Sequence, residues 1–174
     1  MKKRITLISL VTIVFVGCMS MEPTFDPKIE KDSVRKVIHS SIGWALTKDK
    51  DLLLRSVAQD TTFFIYHPDN ASTIRGFEPF RSLVENVFMN DAFKALSYEI
   101  HDLQINFSQS HDVAWFSAIL DDFGEWDGRP LQIPWEGVRW TGVLEKRQES
   151  WVIVQMHFSF ATDARKEKGN ENDG

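Results

Sequence analysis

Cysteine is almost absent from this chain: Cys18 is the only one among 174 residues. An intramolecular disulfide is therefore impossible, and the paired-cysteine motifs of zinc and redox sites are excluded. The five histidines are scattered without the spacing of metal ligands. Phosphate-binding loops, dinucleotide-binding glycine patterns and the GxSxG nucleophile motif are missing as well. We therefore expect neither a metal nor any other cofactor.

The 20 lysines and arginines are outnumbered by 25 aspartates and glutamates, and part of the positive charge is concentrated at the N-terminus. The formal net charge is −5, with Lys-Lys-Arg at residues 2–4. An apolar run of thirteen residues follows at 5–17, too short to span a bilayer comfortably and typical of a signal peptide. Cleavage before Cys18 would remove the three cations and change the net charge from −5 to −8. So acidic a protein lacks the basic face that nucleic acids require, and we expect no nucleic-acid partner.

The end of this run resembles a bacterial lipobox, in which a small residue precedes a cysteine that is lipidated and becomes the new N-terminus. Here Gly17 precedes Cys18, although Phe15 stands where leucine is usual. The resemblance implies a lipoprotein signal peptide at 1–17 and a lipid anchor on Cys18 that holds the protein on a membrane of the cell envelope. Met19, rather than aspartate, follows the cysteine, which favours the periplasmic face of the outer membrane over the inner membrane. The alternative is a lone thiol in an apolar segment.

The rest of the chain has the composition of one globular domain, with 43% hydrophobic and 26% charged residues overall. Residues 18–29 contain two prolines and no periodicity, so we expect a tether between the lipid and the domain. Residues 30–162 form the predicted domain. Residues 163–174 are polar without apolar anchors and are predicted to be a disordered tail.

Apolar residues at helical spacing predict three helices in the N-terminal half. We expect them over 34–45 after an N-cap at 32–33, from about Asp49 to Val57, and over 77–90. A short strand at 61–67 lies between the second and the third helix.

Four strands are predicted to follow, at 96–108, 112–123, 140–146 and 151–160. In the first of these strands, the apolar residues change from one parity to the other near residues 101–102, which predicts a bulge. The second is apolar on both faces and is expected to be covered on both sides. Helices followed by strands in meander predict an α+β fold with a curved antiparallel sheet. Such a sheet, with the three helices on its concave side, would form a cone with a mouth.

The last two strands form a predicted hairpin around a polar turn at 147–150. Because successive strand side chains face opposite sides, its second arm divides into two sets. The apolar set, expected to face the core, is Val152, Val154, Met156, Phe158 and Phe160. The opposite set is Ile153, Gln155, His157 and Ser159, which is unusually polar for so apolar a strand.

Three parts of the chain resemble the SnoaL-like branch of the nuclear transport factor 2-like superfamily. They are Trp44 with the acidic turn at 49–51, the entry to the third helix at 75–77, and the ending that contains Arg139, Trp151, His157 and Ser159. The resemblance covers about residues 30–162 and implies a cone-shaped, cystatin-like half barrel with an internal pocket, commonly paired as a homodimer through the outer sheet face. It does not imply a reaction, because the superfamily includes ketosteroid isomerase, polyketide cyclases, dehydratases, epoxide hydrolases and members without catalysis.

Three residues are candidates for acid/base catalysis. His157 could act as a general base in the pocket; alternatively it is a structural histidine bonded to Ser159 or placed in a dimer interface. Asp121 and Asp122 face opposite ways on one strand and cannot share a proton, so we expect Asp121 to act as a base at the mouth or to belong to a solvated strand end. Tyr66 could donate to a developing oxyanion, or be a half-buried aromatic residue.

The pocket itself is predicted to be largely apolar, with a few polar groups that orient a small molecule. The predicted ligand-binding residues are Trp44, Phe64, Trp115, Arg139, Gln155 and His157. Arg139 could grip a ligand carboxylate through its bidentate fork, or pair at the surface with Glu136 or Asp121.

Three functions are compatible with these residues. The favoured one is a lipid-anchored envelope protein that binds a small, largely apolar molecule without converting it. The second is an acid/base enzyme of the isomerase, cyclase or dehydratase type that uses the same pocket. The third is a non-catalytic dimerisation or assembly module. The position of His157, inside the pocket or outside the sheet, bears directly on the second.

Overall fold

A computed structural model describes residues 25–131 and 135–161 of the chain. The predicted signal peptide, the lipidation site at Cys18, the first part of the predicted tether and the tail at 163–174 lie outside these residues. Within the described part, no helix combines the length and the apolarity needed to cross a membrane.

The first helix, α1, spans Pro27–Gly43 and begins earlier than the sequence predicts. Asp26 is its N-cap, with a carboxylate that accepts hydrogen bonds from the amides of Lys28 and Ile29 at 2.9 and 3.2 Å. Pro27 suits the first turn, where a missing amide hydrogen has no cost. Residues 27–29, predicted as part of the tether, are therefore helical, and the predicted cap at 32–33 is wrong.

The other two helices lie close to their predicted positions. After a 3₁₀ turn at Trp44–Leu46, α2 spans Lys50–Ser56. The carboxylate of Asp49 caps it by accepting from the Leu52 amide at 2.9 Å. Helix α3 spans Phe77–Leu83 and continues as a wider π-helical turn through Val84–Phe88. The three predicted helices are thus confirmed.

Within residues 25–131 and 135–161, seven strands form one sheet in the spatial order β2-β1-β7-β6-β4-β3, with β5 paired to β4. The strands are β1 Phe64–Tyr66, β2 Ile74–Arg75, β3 Phe93–Phe107, β4 Val113–Trp126, β5 Arg129–Pro130, β6 Trp135–Arg147 and β7 Ser150–Ser159. The long strands β3, β4, β6 and β7 make the predicted antiparallel meander. The fold is α+β, as predicted, with a curved and unclosed sheet.

One pair of strands departs from the predicted antiparallel arrangement. Strand β1 adds to the free edge of β7 in parallel, with Ile65 opposite Met156 and Tyr66 opposite His157. The sheet is therefore mixed. A parallel pair requires a long crossover, which the whole of the chain between β1 and β7 supplies.

Among the described strands, two of the four register shifts in the sheet bear on the predictions. In β3 the register slips between His101 and Gln104, and Asp102 has a φ of 52°, which confirms the predicted bulge. In β7, Val143 pairs with Gln155 but the next residue of β6 pairs with Ile153, so one residue of β7 is skipped. At this second bulge Ile153 is completely buried. The predicted alternation of β7 is therefore wrong for the residues that precede the bulge and right for those that follow it.

The predicted hairpin is confirmed, with a turn tighter than expected. Strands β6 and β7 pair from Arg139 opposite Ser159 to Arg147 opposite Ser150. Only Gln148 and Glu149 remain in the turn, with φ values of 49° and 63°. Two positive φ angles match the turn type whose twist fits a two-residue hairpin.

The core lies between the helices and the concave face of the sheet. Across its centre, the Phe116 ring packs edge-on to Trp140 at 4.9 Å, and Trp140 stacks with Phe158 at 5.6 Å. Gly142 makes room for this packing, because a Cβ atom there would lie 2.5 Å from Cε1 of Phe116 and 2.8 Å from the Gln155 carbonyl oxygen. A larger residue at 142 would therefore force the two strands or the ring to move.

The convex side of the sheet, here called the outer face, is open. On β4, Phe116 and Leu120 are buried against the core, whereas Trp115 on the opposite side is 46% exposed. The prediction that β4 is covered on both sides is therefore wrong for the single chain. The helices cover only the concave side, so the outward aromatic residues meet solvent.

Candidate functional site

A cavity of ≈ 560 Å³ lies between the concave face of the sheet and the helices. The end of α1, the 3₁₀ turn after it and α3 close one side, while β1, β3, β4, β6 and β7 form the other. Its walls are largely aromatic and aliphatic, which is the usual form of a small-molecule site.

The apolar part of the cavity is built by aromatic residues from the helical layer and β3. Trp44 is nearly fully buried and packs edge-on to Phe88 at 6.2 Å between ring centroids. Phe88 in turn packs against Phe93 at 5.2 Å. The 3₁₀ turn that ends α1 and the π-helical turn that ends α3 bring these rings together. Trp44 is the predicted ligand-binding residue that lines the cavity.

Asp122 is the carboxylate of the cavity wall. It has the same parity on β4 as the buried residues Phe116, Ala118 and Leu120, so its side chain points to the concave side. Burial without a compensating charge raises the pKa of its carboxyl from 3.8 to about 6. No residue of 25–131 or 135–161 donates a hydrogen bond to it.

His67 is the second titratable residue of the wall. Its Nδ1 lies 2.6 Å from the Ser72 carbonyl oxygen, and because a carbonyl can only accept, Nδ1 carries a proton. In the neutral ring Nε2 is then an acceptor. Asp69 holds the turn in place by accepting from the Ser72 amide at 2.9 Å. The ring is also clamped by a stack on Phe158, with centroids 5.6 Å apart.

The other predicted site residues lie on the outer face, away from the cavity that they were expected to line. They are Phe64, Tyr66, Trp115, Asp121, Arg139, Gln155 and His157. The reason is geometric: core and cavity share the concave side, so Met156 and Phe158 face the cavity and the opposite parity of β7 faces outwards. The predicted pocket position of His157 is corrected on this ground.

On the outer face these residues form cross-strand rows. Tyr66 lies opposite His157 with ring centroids 5.9 Å apart, and both are exposed. Phe64 lies opposite Gln155, which is followed across the sheet by Val143 and Trp115. A role for these residues remains a prediction, and it now concerns a surface of the sheet rather than a pocket.

Asp121 belongs to a separate polar cluster on this face. Its carboxylate accepts a hydrogen bond from the Gly137 amide at 2.6 Å and lies 3.0 Å from Nε2 of His101. The hydrogen bond from Gly137 and the interaction with His101 together hold the pKa of Asp121 below its usual value. Two consecutive aspartates therefore have opposite environments and opposite pKa shifts.

The sequence carried a signal for Asp122 that the prediction did not use. Asp122 continues the parity of Phe116, Ala118 and Leu120, so the periodicity places it on their side of β4, which the structure shows to be the inner side. His67 had no such signal, because its position depends on the turn at 70–72 and on the parallel pairing of β1.

Comparison with known structures supports the fold. An NTF2-like protein of Cytophaga hutchinsonii matches with a TM-score of 0.59 and 14% identity over 75% of this chain and 98% of that one. The association domain of C. elegans CaMKII matches with a TM-score of 0.55 and 18% identity, covering 76% and 97%. A proposed ketosteroid isomerase of Shewanella frigidimarina gives 0.54 and 19%, covering 75% and 97%. At these identities the likeness concerns the fold alone.

The sequence itself identifies the family. A comparison with curated proteins finds no match. The model of the SnoaL-like domain, in contrast, matches residues 34–163, which is most of the chain. This range includes every described helix and strand, except that it begins after the first turns of α1. The chain therefore belongs to the SnoaL-like domain family.

Proposed function

We propose that the chain is a lipid-anchored protein of the bacterial envelope whose SnoaL-like domain binds a small, largely apolar molecule. The observation that carries the binding function is the cavity of ≈ 560 Å³, with aromatic walls and few polar groups. A preformed space of this kind gains binding free energy from apolar contact, while the polar groups fix the orientation of the ligand.

Filling the cavity tests this function. Ala95 lies in the cavity wall, whereas its neighbour Leu96 is 49% exposed. Ala95→Phe would occupy the space of a ligand, and Leu96→Phe is a matched control on the same strand. In a thermal-shift screen of small aromatic and aliphatic molecules, ligands should stabilise the wild type and Leu96→Phe but not Ala95→Phe. Equal stabilisation of Ala95→Phe would refute binding in the cavity.

A second candidate function is acid/base catalysis on the bound molecule. Asp122 favours it, because a carboxyl with a pKa of about 6 can both give and accept a proton near neutral pH. This chemistry is of the type suggested by the name of the Shewanella protein. Wild-type protein should then exchange the α-protons of a bound ketone such as 2-tetralone in D₂O, followed by NMR. Asp122→Asn should abolish the exchange, and persistence of exchange in this variant would exclude Asp122 as the base.

The anchor and the location are proposed from the N-terminal sequence. The charged residues at 2–4, the apolar run at 5–17 and Gly17 before Cys18 support a cleaved signal and a lipidated cysteine. Labelled palmitate should enter the wild type but not Cys18→Ser, and fractionation should place the wild type in the outer membrane. Incorporation of the label into Cys18→Ser would contradict the proposed anchor.

We also propose that two copies pair through their outer faces. Trp115 is 46% exposed in the row that contains Val143 and Phe64, a surface that association would shield from water. The relatives include a domain named for association. Sedimentation should show a dimer for the wild type and for Gln148→Glu in the exposed hairpin turn, and a monomer for Trp115→Glu. If the protein is a dimer and no molecule of the thermal-shift screen stabilises it, the third function, an assembly module, is favoured.

A further inference from the structure

The carboxylate in the cavity lacks a positive partner. In the part of the chain that the structure describes, the cavity wall contains no lysine and no arginine, and Asp122 receives no hydrogen bond. Burial removes much of the water that would otherwise solvate the charge, with the rise in pKa to about 6 as its consequence. An ionised group in this state gains most from a ligand that brings a positive charge with hydrogen-bond donors.

A second acceptor lies near the same end of the cavity. Trp135 is the cross-strand partner of Asp122, and its ring lies 6.0 Å from that of His67. His67 and Asp122 thus flank one indole, and Nε2 of His67 is an acceptor in the neutral ring. The hydroxyls of Ser41 and Ser72, which also line the cavity, donate their protons to Ile38 and Asp69, which leaves them as acceptors too. Several polar groups of the cavity wall are therefore acceptors.

Aromatic rings lie at this end. Trp135 packs against Phe158 with ring centroids 5.2 Å apart, and Phe158 stacks with His67. The face of an indole or phenyl ring carries negative electrostatic potential and attracts cations. A positively charged group that reached Asp122 would therefore meet both a carboxylate and aromatic surface.

We propose that the cavity selects an organic cation, a protonated amine carried on an apolar body of aromatic size, with its ammonium group between Asp122 and His67. This inference rests on the proposed binding function and names its ligand class. An ammonium group supplies several N–H donors and the missing charge, and the apolar body fills the region of Trp44, Phe88 and Phe93.

The same features disfavour the other ligand charges. A carboxylate or phosphate would face Asp122 without any lysine or arginine in the described wall, and would be repelled. A neutral alcohol could donate one hydrogen bond but would leave the charge of Asp122 uncompensated. Arg139, predicted to grip a ligand carboxylate, is exposed on the outer face and cannot do so within this cavity.

Amine binding should depend on pH in a defined direction. Asp122 must be ionised, so affinity should rise as the pH increases through about 6 and then level off until the amine itself loses its proton. The titratable groups near Asp122 are His67 in the cavity wall and Tyr98 on β3, whose hydroxyl is 3.3 Å from Nδ1 of His39.

Three probes of one shape test the inference on the full-length protein by calorimetry at pH 7.5. They are 2-(1-naphthyl)ethylamine, 2-(1-naphthyl)ethanol and 1-naphthylacetic acid. We expect the amine to bind at least about tenfold more tightly than the alcohol, and the acid to bind most weakly. Asp122→Asn should bring amine and alcohol to within about twofold of each other. Glu125→Gln, on the same strand but in an ion pair with Lys94, loses the same charge and should keep the preference.

The outcomes separate this inference from the function on which it rests. If amine and alcohol bind the wild type equally, the inference fails while the binding function stands. If the amine preference survives in Asp122→Asn, the proposed position of the cation is wrong. If Ala95→Phe binds the amine as the wild type does, binding does not occur in the cavity, and the proposed binding function fails together with the inference. If none of the three probes binds the wild type, the inference and the cavity's proposed binding function both fail.

Discussion

Asp122 is expected to destabilise the folded protein at neutral pH, and its replacement should make the protein more stable. In the unfolded chain the carboxyl loses its proton near pH 3.8, whereas burial delays this loss in the native state to about pH 6. Between these values the native state binds more protons than the unfolded state, so stability falls as the pH rises. Below 3.8 both states are protonated and the penalty vanishes.

The size of the penalty follows from the two pKa values. The difference between the unfolded and native pKa values lowers the free energy of unfolding by about 3 kcal/mol above pH 6. This is an upper estimate, because the side chain is not completely enclosed. An asparagine at this position would keep the shape of the side chain but leave a neutral amide in the cavity, so Asp122→Asn should stabilise the protein by about 1–3 kcal/mol at pH 8. For a domain of this length, that is a rise in melting temperature of roughly 3–10 °C.

Thermal unfolding followed by circular dichroism at pH 4 and pH 8 measures this effect. The neighbouring Asp121 provides a control of opposite sign, because the Gly137 amide and His101 hold its pKa below the usual value. Its contribution to stability is present above its unfolded pKa and is lost only as the pH falls through the native pKa. Asp121→Asn should therefore destabilise the protein at both pH 8 and pH 4, by similar amounts.

Two results would refute this reasoning. The first is a change in melting temperature for Asp122→Asn that is the same at pH 4 and pH 8, since the charge would then have no part in it. The second is a destabilised Asp122→Asn at pH 8, which would mean that the native state uses the ionised carboxylate.

Two further predictions concern packing. Gly142→Ala should lower the free energy of unfolding by about 1–3 kcal/mol in urea titrations, because the new Cβ would meet the Phe116 ring; an unchanged midpoint would contradict the close approach. Glu30→Gln should cost about 1–2 kcal/mol at pH 7, since Lys146 Nζ and Trp151 Nε1 both donate to this carboxylate at 2.7 and 2.6 Å. The Glu30→Gln loss should shrink in acid, where Glu30 is protonated in the native state, and a pH-independent loss would argue against the ion pair.

The fold could be predicted wherever a local pattern determines the structure. Helical spacing located α2 and α3, and the slip in apolar phase located the bulge at Asp102. The start of α1 was missed because two capping signals, Asp26 with Pro27 and the pair at 32–33, compete within two turns of helix. The parallel pairing of β1 with β7 was missed for a different reason: it joins distant segments, and nothing local in either strand encodes it.

The site was harder to predict than the fold because one assumption governed most of the candidates. The polar side chains on one side of β7 were assigned to the pocket, on the assumption that polar residues in so apolar a strand line a functional cavity. In the structure the cavity shares the concave side with the core, so the polar row containing Gln155 and His157 is the solvent side of the sheet. The same periodicity, followed along β4, leads to Asp122.

The parallel pairing of β1 with β7 has a consequence for how the protein is made. Ile65 and Met156 are about ninety residues apart, and the amide of Ala58 donates to the Ile153 carbonyl at 2.9 Å over a similar span. During synthesis from the N-terminus, β1 can pair with β2 early, but its edge towards β7 has no partner until the ribosome has completed the last strand. This edge of the sheet can therefore close only when almost the entire folded domain has been synthesised.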